Sequence, residues 1–117
     1  MKKIRLILFA FVLVSCTIDT AKFIDPNETL QVYIYGTELN TEEYLLNPGG
    51  EKYNKFISWV RNNKEGWSST PASYVPGILV SGKSFTMNFM DNTVLVNYAD
   101  GQFTKKIDPT EYEFLKK

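Results

Sequence analysis

From residue 29 to residue 35 apolar and polar positions alternate, with Leu30, Val32 and Ile34 on one side of an extended chain and Gln31, Tyr33 and Tyr35 on the other. A period of two marks a strand buried on one face, and Gly36 stops it. Asn40-Thr41-Glu42-Glu43 sets a capping residue three places before a glutamate. That pattern predicts a short helix through Leu46, broken by Asn47-Pro48-Gly49-Gly50. The period then changes. Tyr53, Phe56, Ile57 and Val60 recur at i, i+3, i+4 and i+7 of a helix that starts at Glu51, while Lys52, Lys55, Arg61 and Asn62 face away. Gly66 ends this helix as a glycine just past a C-terminus would.

Beyond a loop over residues 67–76 the period of two returns in four successive runs, at residues 77–81, 85–89, 94–98 and 103–107. Gly82-Lys83, Asp91-Asn92 and Asp100-Gly101 separate them at hairpin spacing, so four consecutive antiparallel strands are expected. Asp108-Pro109-Thr110-Glu111 places a cap, an N1 proline and an N3 glutamate in order, which predicts a short terminal helix with Tyr112 and Leu115 facing the sheet. The fold expected is α+β: a small antiparallel sheet, made of a four-strand meander and an N-terminal strand, packed by one long helix and followed by a short C-terminal one. Residues 29–117 form the single domain, and the polar residues 17–28, punctuated by Asp25-Pro26-Asn27, read as a tether.

The first sixteen residues belong to a different class. Met1-Lys2-Lys3-Ile4-Arg5 is a basic head, and Leu6 to Val14 is an uncharged apolar run of nine residues. Such a run is too short to cross a hydrocarbon core, which takes about 20 helical residues, and it has the form of a secretory signal. Leu13-Val14-Ser15-Cys16 follows, an apolar residue and a small one leading into a cysteine, and it resembles the lipobox of bacterial lipoproteins. The resemblance implies cleavage between Ser15 and Cys16 and attachment of diacylglycerol to the Cys16 thiol. It also implies acylation of the new amino end. Thr17 stands where aspartate would imply inner-membrane retention, so the resemblance points to the outer membrane, facing the periplasm.

Cys16 is the sole cysteine, which excludes a disulfide framework, and a lipidated thiol would leave no reactive sulfur in an oxidising compartment. With no histidine, Ser-His and Cys-His nucleophile pairs cannot be built, and a zinc site on histidines or a cysteine cluster is excluded too. Of the 13 basic residues, Lys2, Lys3 and Arg5 leave with the signal, so ten face thirteen acidic residues in the mature chain. The largest remaining basic clusters are Lys105-Lys106 and Lys116-Lys117, which supports no nucleic-acid partner.

Two catalytic patterns compete with duller explanations. Gly77 to Ser84 matches the letters of a phosphate-binding P-loop, yet such a loop must run into a helix and Phe85 onward alternates as a strand, so no nucleotide is expected. Glu42, Glu43, Glu51, Glu111 and Glu113 could pair for glycosidic hydrolysis, but each sits where a helix cap, a first turn or an exposed helix face uses it. The loop from Gly66 to Pro76 carries Trp67 and Tyr74 among small polar residues such as Ser69, a composition suited to recognition; packing of Trp67 and Tyr74, and likewise of Trp59, onto the core competes with that reading. Tyr33 and Tyr35, with Gln31, form a second amphipathic patch if nothing covers their face.

The leading expectation is a lipid-anchored, non-catalytic module that binds a protein partner without a cofactor or metal through Tyr33, Tyr35, Trp67, Ser69 and Tyr74. An inhibitor or immunity-type lipoprotein fits this by analogy. A structural accessory of the envelope and a small carboxylate hydrolase of the cell wall remain alternatives.

Overall fold

The alternation that opens the domain becomes strand β1 (Leu30–Tyr35), in which Leu30 and Val32 are buried. The computed structural model describes residues 16–36, 41–72 and 74–116. The apolar leader, Ser15 and the helix-capping role of Asn40 lie outside these described residues.

The segment read as a short helix is instead strand β2 (Thr41–Leu46), paired antiparallel with β1 from Leu30 opposite Leu46 to Tyr35 opposite Thr41. A helix of six residues gains few hydrogen bonds against a costly nucleus, whereas pairing beside β1 satisfies the backbone along the whole segment and buries Leu46. Tertiary context therefore overrides the capping pattern. Helix α1 (Glu51–Asn62) follows, with Tyr53, Phe56, Ile57 and Val60 buried as the periodicity predicts. It ends at Asn62, before Gly66, and Gly66 turns the chain at φ +84° into the two-residue strand β3 (Ser68–Ser69).

Strands β4 (Ile78–Ser81), β5 (Thr86–Met90), β6 (Thr93–Tyr98) and β7 (Gly101–Lys106) come next as successive antiparallel neighbours. Together with the first three they form one antiparallel sheet of seven strands in the order β2-β1-β4-β5-β6-β7-β3. The sheet is larger than expected because β2 and β3 extend it at its two edges. The terminal segment Pro109–Leu115 is a 3₁₀ turn kinked at Tyr112, and its capping box between Asp108 and Glu111 forms as the sequence indicates. Tyr112 and Leu115 are buried.

One face of the sheet carries Val32, Val80, Met87, Phe89, Val94 and Val96, aligned by register across β1, β4, β5 and β6. Helix α1 covers this face, with the ring of Phe56 6.3 Å from Phe85 and 6.5 Å from Phe89. Phe56, Val60, Val32, Val80 and Met87 are fully buried, and each such side chain contributes about 1.5–3 kcal/mol.

The segment read as a tether does not hang free. Ile18 and Phe23 are buried in this core, and the Phe23 ring packs 5.0 Å from Phe85 and 4.7 Å from Tyr98. Two apolar side chains in a polar stretch supply enough buried surface to fasten it, while Asp19 caps the 3₁₀ turn Thr20–Lys22.

Candidate functional site

The opposite face of the sheet is covered only in part. After β3 the chain leaves the sheet edge and returns to β4, which lies between β1 and β5, so the connection must cross β7, β6 and β5. Side chains on that outer face fasten it. Gln102 Nε2 donates to the carbonyls of Thr70 and Ala72, Asn88 Nδ2 donates to Val75 O, and Gly77 N donates to Asn88 Oδ1 at 2.8 Å. Beneath this strap Asn88 and Leu95 become buried although they point away from the helix. The approach is close enough that a Cβ at position 77 would lie 2.3 Å from Phe89 O, which requires glycine there.

The strap stops short of β1 and β2. Tyr33 and Tyr35, on alternate outward positions of β1, remain partly accessible with their rings 6.3 Å apart. Among the described residues four large apolar side chains are exposed: Leu45 on β2 at 55%, Val75 at 77% and Tyr74 at 39% on the strap, and Tyr35 at 39%. Tyr35 and Val75 line a common groove of about 530 Å³ with Ile34, Glu42, Met90 and Tyr112. The phenol of Tyr112 donates to Asp91 O, and burial pushes its pKa up. The Tyr74 hydroxyl lies 3.4 Å from Thr70 Oγ1, which steadies its ring on the strap.

The five residues expected to meet a partner therefore separate. Tyr33 and Tyr35 lie side by side and partly accessible on β1, and Tyr74 is accessible on the strap. Ser69 is exposed but lies on β3, at the far edge of the sheet. Trp67 is removed from the set: it is fully buried, its Nε1 donates to Asn63 O at 2.7 Å, and its large apolar ring serves the core. Trp59 also packs inward, edge-on to Phe89 at 5.4 Å, with Nε1 donating to Glu111 Oε1. Leu45 and Val75 escaped sequence reasoning. Val75 lay inside the loop already singled out, while the mistaken helix assignment hid Leu45.

At the other sheet edge, Cys16 makes a β-bridge with Trp67. Cys16 N donates to Trp67 O at 2.6 Å, and Trp67 N donates to Cys16 O at 3.1 Å. Ile18 N donates to Lys64 O at 2.8 Å, which continues the pairing. The Cys16 thiol is unpaired and half-buried.

Four of the five carboxylates weighed for hydrolysis have partners elsewhere, and Glu42 lines the groove beside Tyr35. Glu43 accepts from Gln31, Glu111 closes the capping box, Glu51 pairs with Lys55 and Glu113 with Lys116. Two aspartates have displaced pKa values, and both move down: Asp108 through the Thr110 amide and hydroxyl, Asp100 chiefly through the Lys22 ammonium. A general acid needs the opposite direction. Residues 78–81 of the P-loop-like stretch are strand, and the amide of Lys83 is taken by the Glu28 carboxylate. Among the described residues no three Cys, Asp or Glu side chains are grouped to hold a metal ion, and no helix is long and apolar enough to cross a membrane. No protein-family model matches the chain, and neither a curated protein nor a solved structure matches it significantly.

Proposed function

We propose that the chain is a lipid-anchored, non-catalytic binding module of the bacterial envelope, of inhibitor or immunity type, that grips a protein partner with the β1–β2 edge of its sheet. One observation carries this reading: Tyr35 and Val75 stand exposed in one groove at the β1–β2 edge, and Leu45 stands exposed farther along the same edge, in a second groove beside Gln31. Grouped exposure of that kind marks recognition surfaces, with aromatic side chains as the usual anchors. Strand β2 closes the sheet with no strand beyond it among the described residues, so an extended segment of the partner has a template to pair with. Glu42 and Glu43 lie on this edge, where charge also discourages self-association.

The anchor is Cys16, read from the leader. Mass spectrometry of the native product should show a lipidated Cys16 at the amino end, and Cys16→Ser should leave unprocessed precursor. For the binding edge, photo-crosslinking residues placed at Leu45 and Val75 should capture one stoichiometric protein. Leu45→Asp and Val75→Asp should then weaken that complex by at least 2 kcal/mol, about 30-fold, without lowering thermal stability. A complex indifferent to both substitutions refutes the proposed surface. Turnover of cell-wall material that disappears on Glu-to-Gln substitution refutes the non-catalytic reading.

A further inference from the structure

The lipid attachment point and the open edge of the sheet lie at opposite ends of one rigid element. Trp67 turns both its backbone N–H and its C=O to Cys16, while its neighbour Ser68 is aligned with Thr104 of β7. Successive residues of a strand direct their backbone groups to opposite sides, so Cys16 sits beyond β3 on the side away from β7. The order β2-β1-β4-β5-β6-β7-β3 contains six inter-strand spacings, and Cys16 adds a seventh. At about 4.8 Å each, the anchor is about 34 Å from the β2 edge measured along the sheet.

There is also no slack. Cys16 is bonded to the domain through its own backbone, and Ile18, two residues on, is buried. A lipid on the Cys16 sulfur would therefore hold the β3 edge against the bilayer. The surface around that point is basic. Arg61, Lys64 and Lys105 line one groove at the end of α1, with Glu65 as the acidic side chain among its lining residues. Lys64 supplies the carbonyl that receives the Ile18 amide, and Lys105 Nζ donates to Glu65 O at 2.6 Å, which places both beside the anchored segment.

We infer that the domain stands upright on its β3 edge, with Arg61, Lys64 and Lys105 resting against anionic phospholipid headgroups and the β2 edge presented farthest from the membrane. This inference rests on the lipid anchor proposed above. It makes the protein a post of defined orientation in place of a ball on a string. The partner would be met at a set height, and the bilayer would shield the β3 edge from strand pairing.

Site-directed spin labelling of the lipidated protein tests it, because the native cysteine is consumed by the anchor and a second one can be labelled alone. Asn62→Cys marks the basic groove without removing a charge, and Leu45→Cys marks the far edge; both positions are exposed. In vesicles containing phosphatidylglycerol and a nickel-chelating lipid, the label at 62 should relax by headgroup collision and the label at 45 should not. With phosphatidylcholine replacing the phosphatidylglycerol and the nickel-chelating lipid kept, or with Arg61→Glu and Lys105→Glu, the contact at 62 should fall, by about fivefold for each basic side chain no longer facing anionic lipid. Equal relaxation at the two positions, or stronger relaxation at 45, overturns the orientation. Equal contact in both lipids overturns the role of the basic groove. Protein that fails to float with vesicles and has no acyl mass refutes the anchor itself, an outcome read separately from either.

Discussion

Asn88 is the place where a single side chain decides whether the strap stays down. It is 5% exposed, on the outer face of a central strand, and its amide bridges two points of the crossing chain: Oδ1 takes the Gly77 amide at 2.8 Å and Nδ2 reaches Val75 O at 3.2 Å. Asn88→Ala removes both bonds, about 1 kcal/mol each, and strands the Gly77 N–H in a half-buried position at about 1–3 kcal/mol. Water entering the gap offsets part of this, so a loss of about 2–4 kcal/mol is expected against a total of about 5–15 kcal/mol for a domain of this size. In urea, with an m-value of about 1.5 kcal/mol/M, the midpoint should fall by about 2 M with the slope unchanged. Hydrogen exchange at the Gly77 amide should accelerate by more than the global loss explains, because the strap can then lift without the sheet unfolding. Asn97 supplies the control. It is exposed on β6, and among the described residues its side chain bonds only to Gln102 Oε1, so Asn97→Ala should cost under about 0.5 kcal/mol. If the two alanine variants unfold together, the strap is not held as described. Asn88→Asp keeps the acceptor for Gly77 but turns a carboxylate oxygen toward Val75 O. Its folded-state pKa is thereby raised, so its deficit relative to wild type should shrink as pH falls and the carboxyl becomes a donor.

Trp67→Ala, at a fully buried position, should cost about 3–5 kcal/mol and lower Tm by at least 12 °C at about 4–8 °C per kcal/mol. Trp67→Phe should cost less but more than an exposed substitution, because Asn63 O loses its donor. Differential scanning calorimetry checks both, and a Trp67→Ala protein as stable as wild type would mean that this ring is not core. Asp108 and Asp100 have pKa values lowered in the folded state, so the stability they add is complete above the ordinary aspartate value of 3.8 and is lost as pH falls through the lowered values. Asp108→Asn with Asp100→Asn should therefore flatten the acid limb of a stability-pH curve below pH 4 and leave its shape near pH 7 unchanged.

What the sequence determined by itself is what depends on near neighbours in the chain. The stripe Tyr53, Phe56, Ile57 and Val60, the alternation of β1, the runs of β4 to β7 and the capping box at Asp108 all read directly, because periodicity and capping are set within a few residues. Tyr33, Tyr35 and Tyr74 were legible as candidates for the same reason: an amphipathic alternation and an aromatic loop are local patterns. Residues 41–46 were not, since six residues with a cap-like start suit helix or strand about equally, and the free edge of β1 decided between them. Ile18 and Phe23 looked like scattered apolar positions until the core offered them a place, which turned an expected tether into a fastened segment. The tertiary structure alone sent Trp67 inward, drew the strap over Asn88 and Leu95, left Leu45 and Val75 uncovered, and set Cys16 at the edge opposite β2. Burial and exposure at those positions are settled by segments distant in sequence, and a chain read locally has no access to which of its surfaces another part of it will cover.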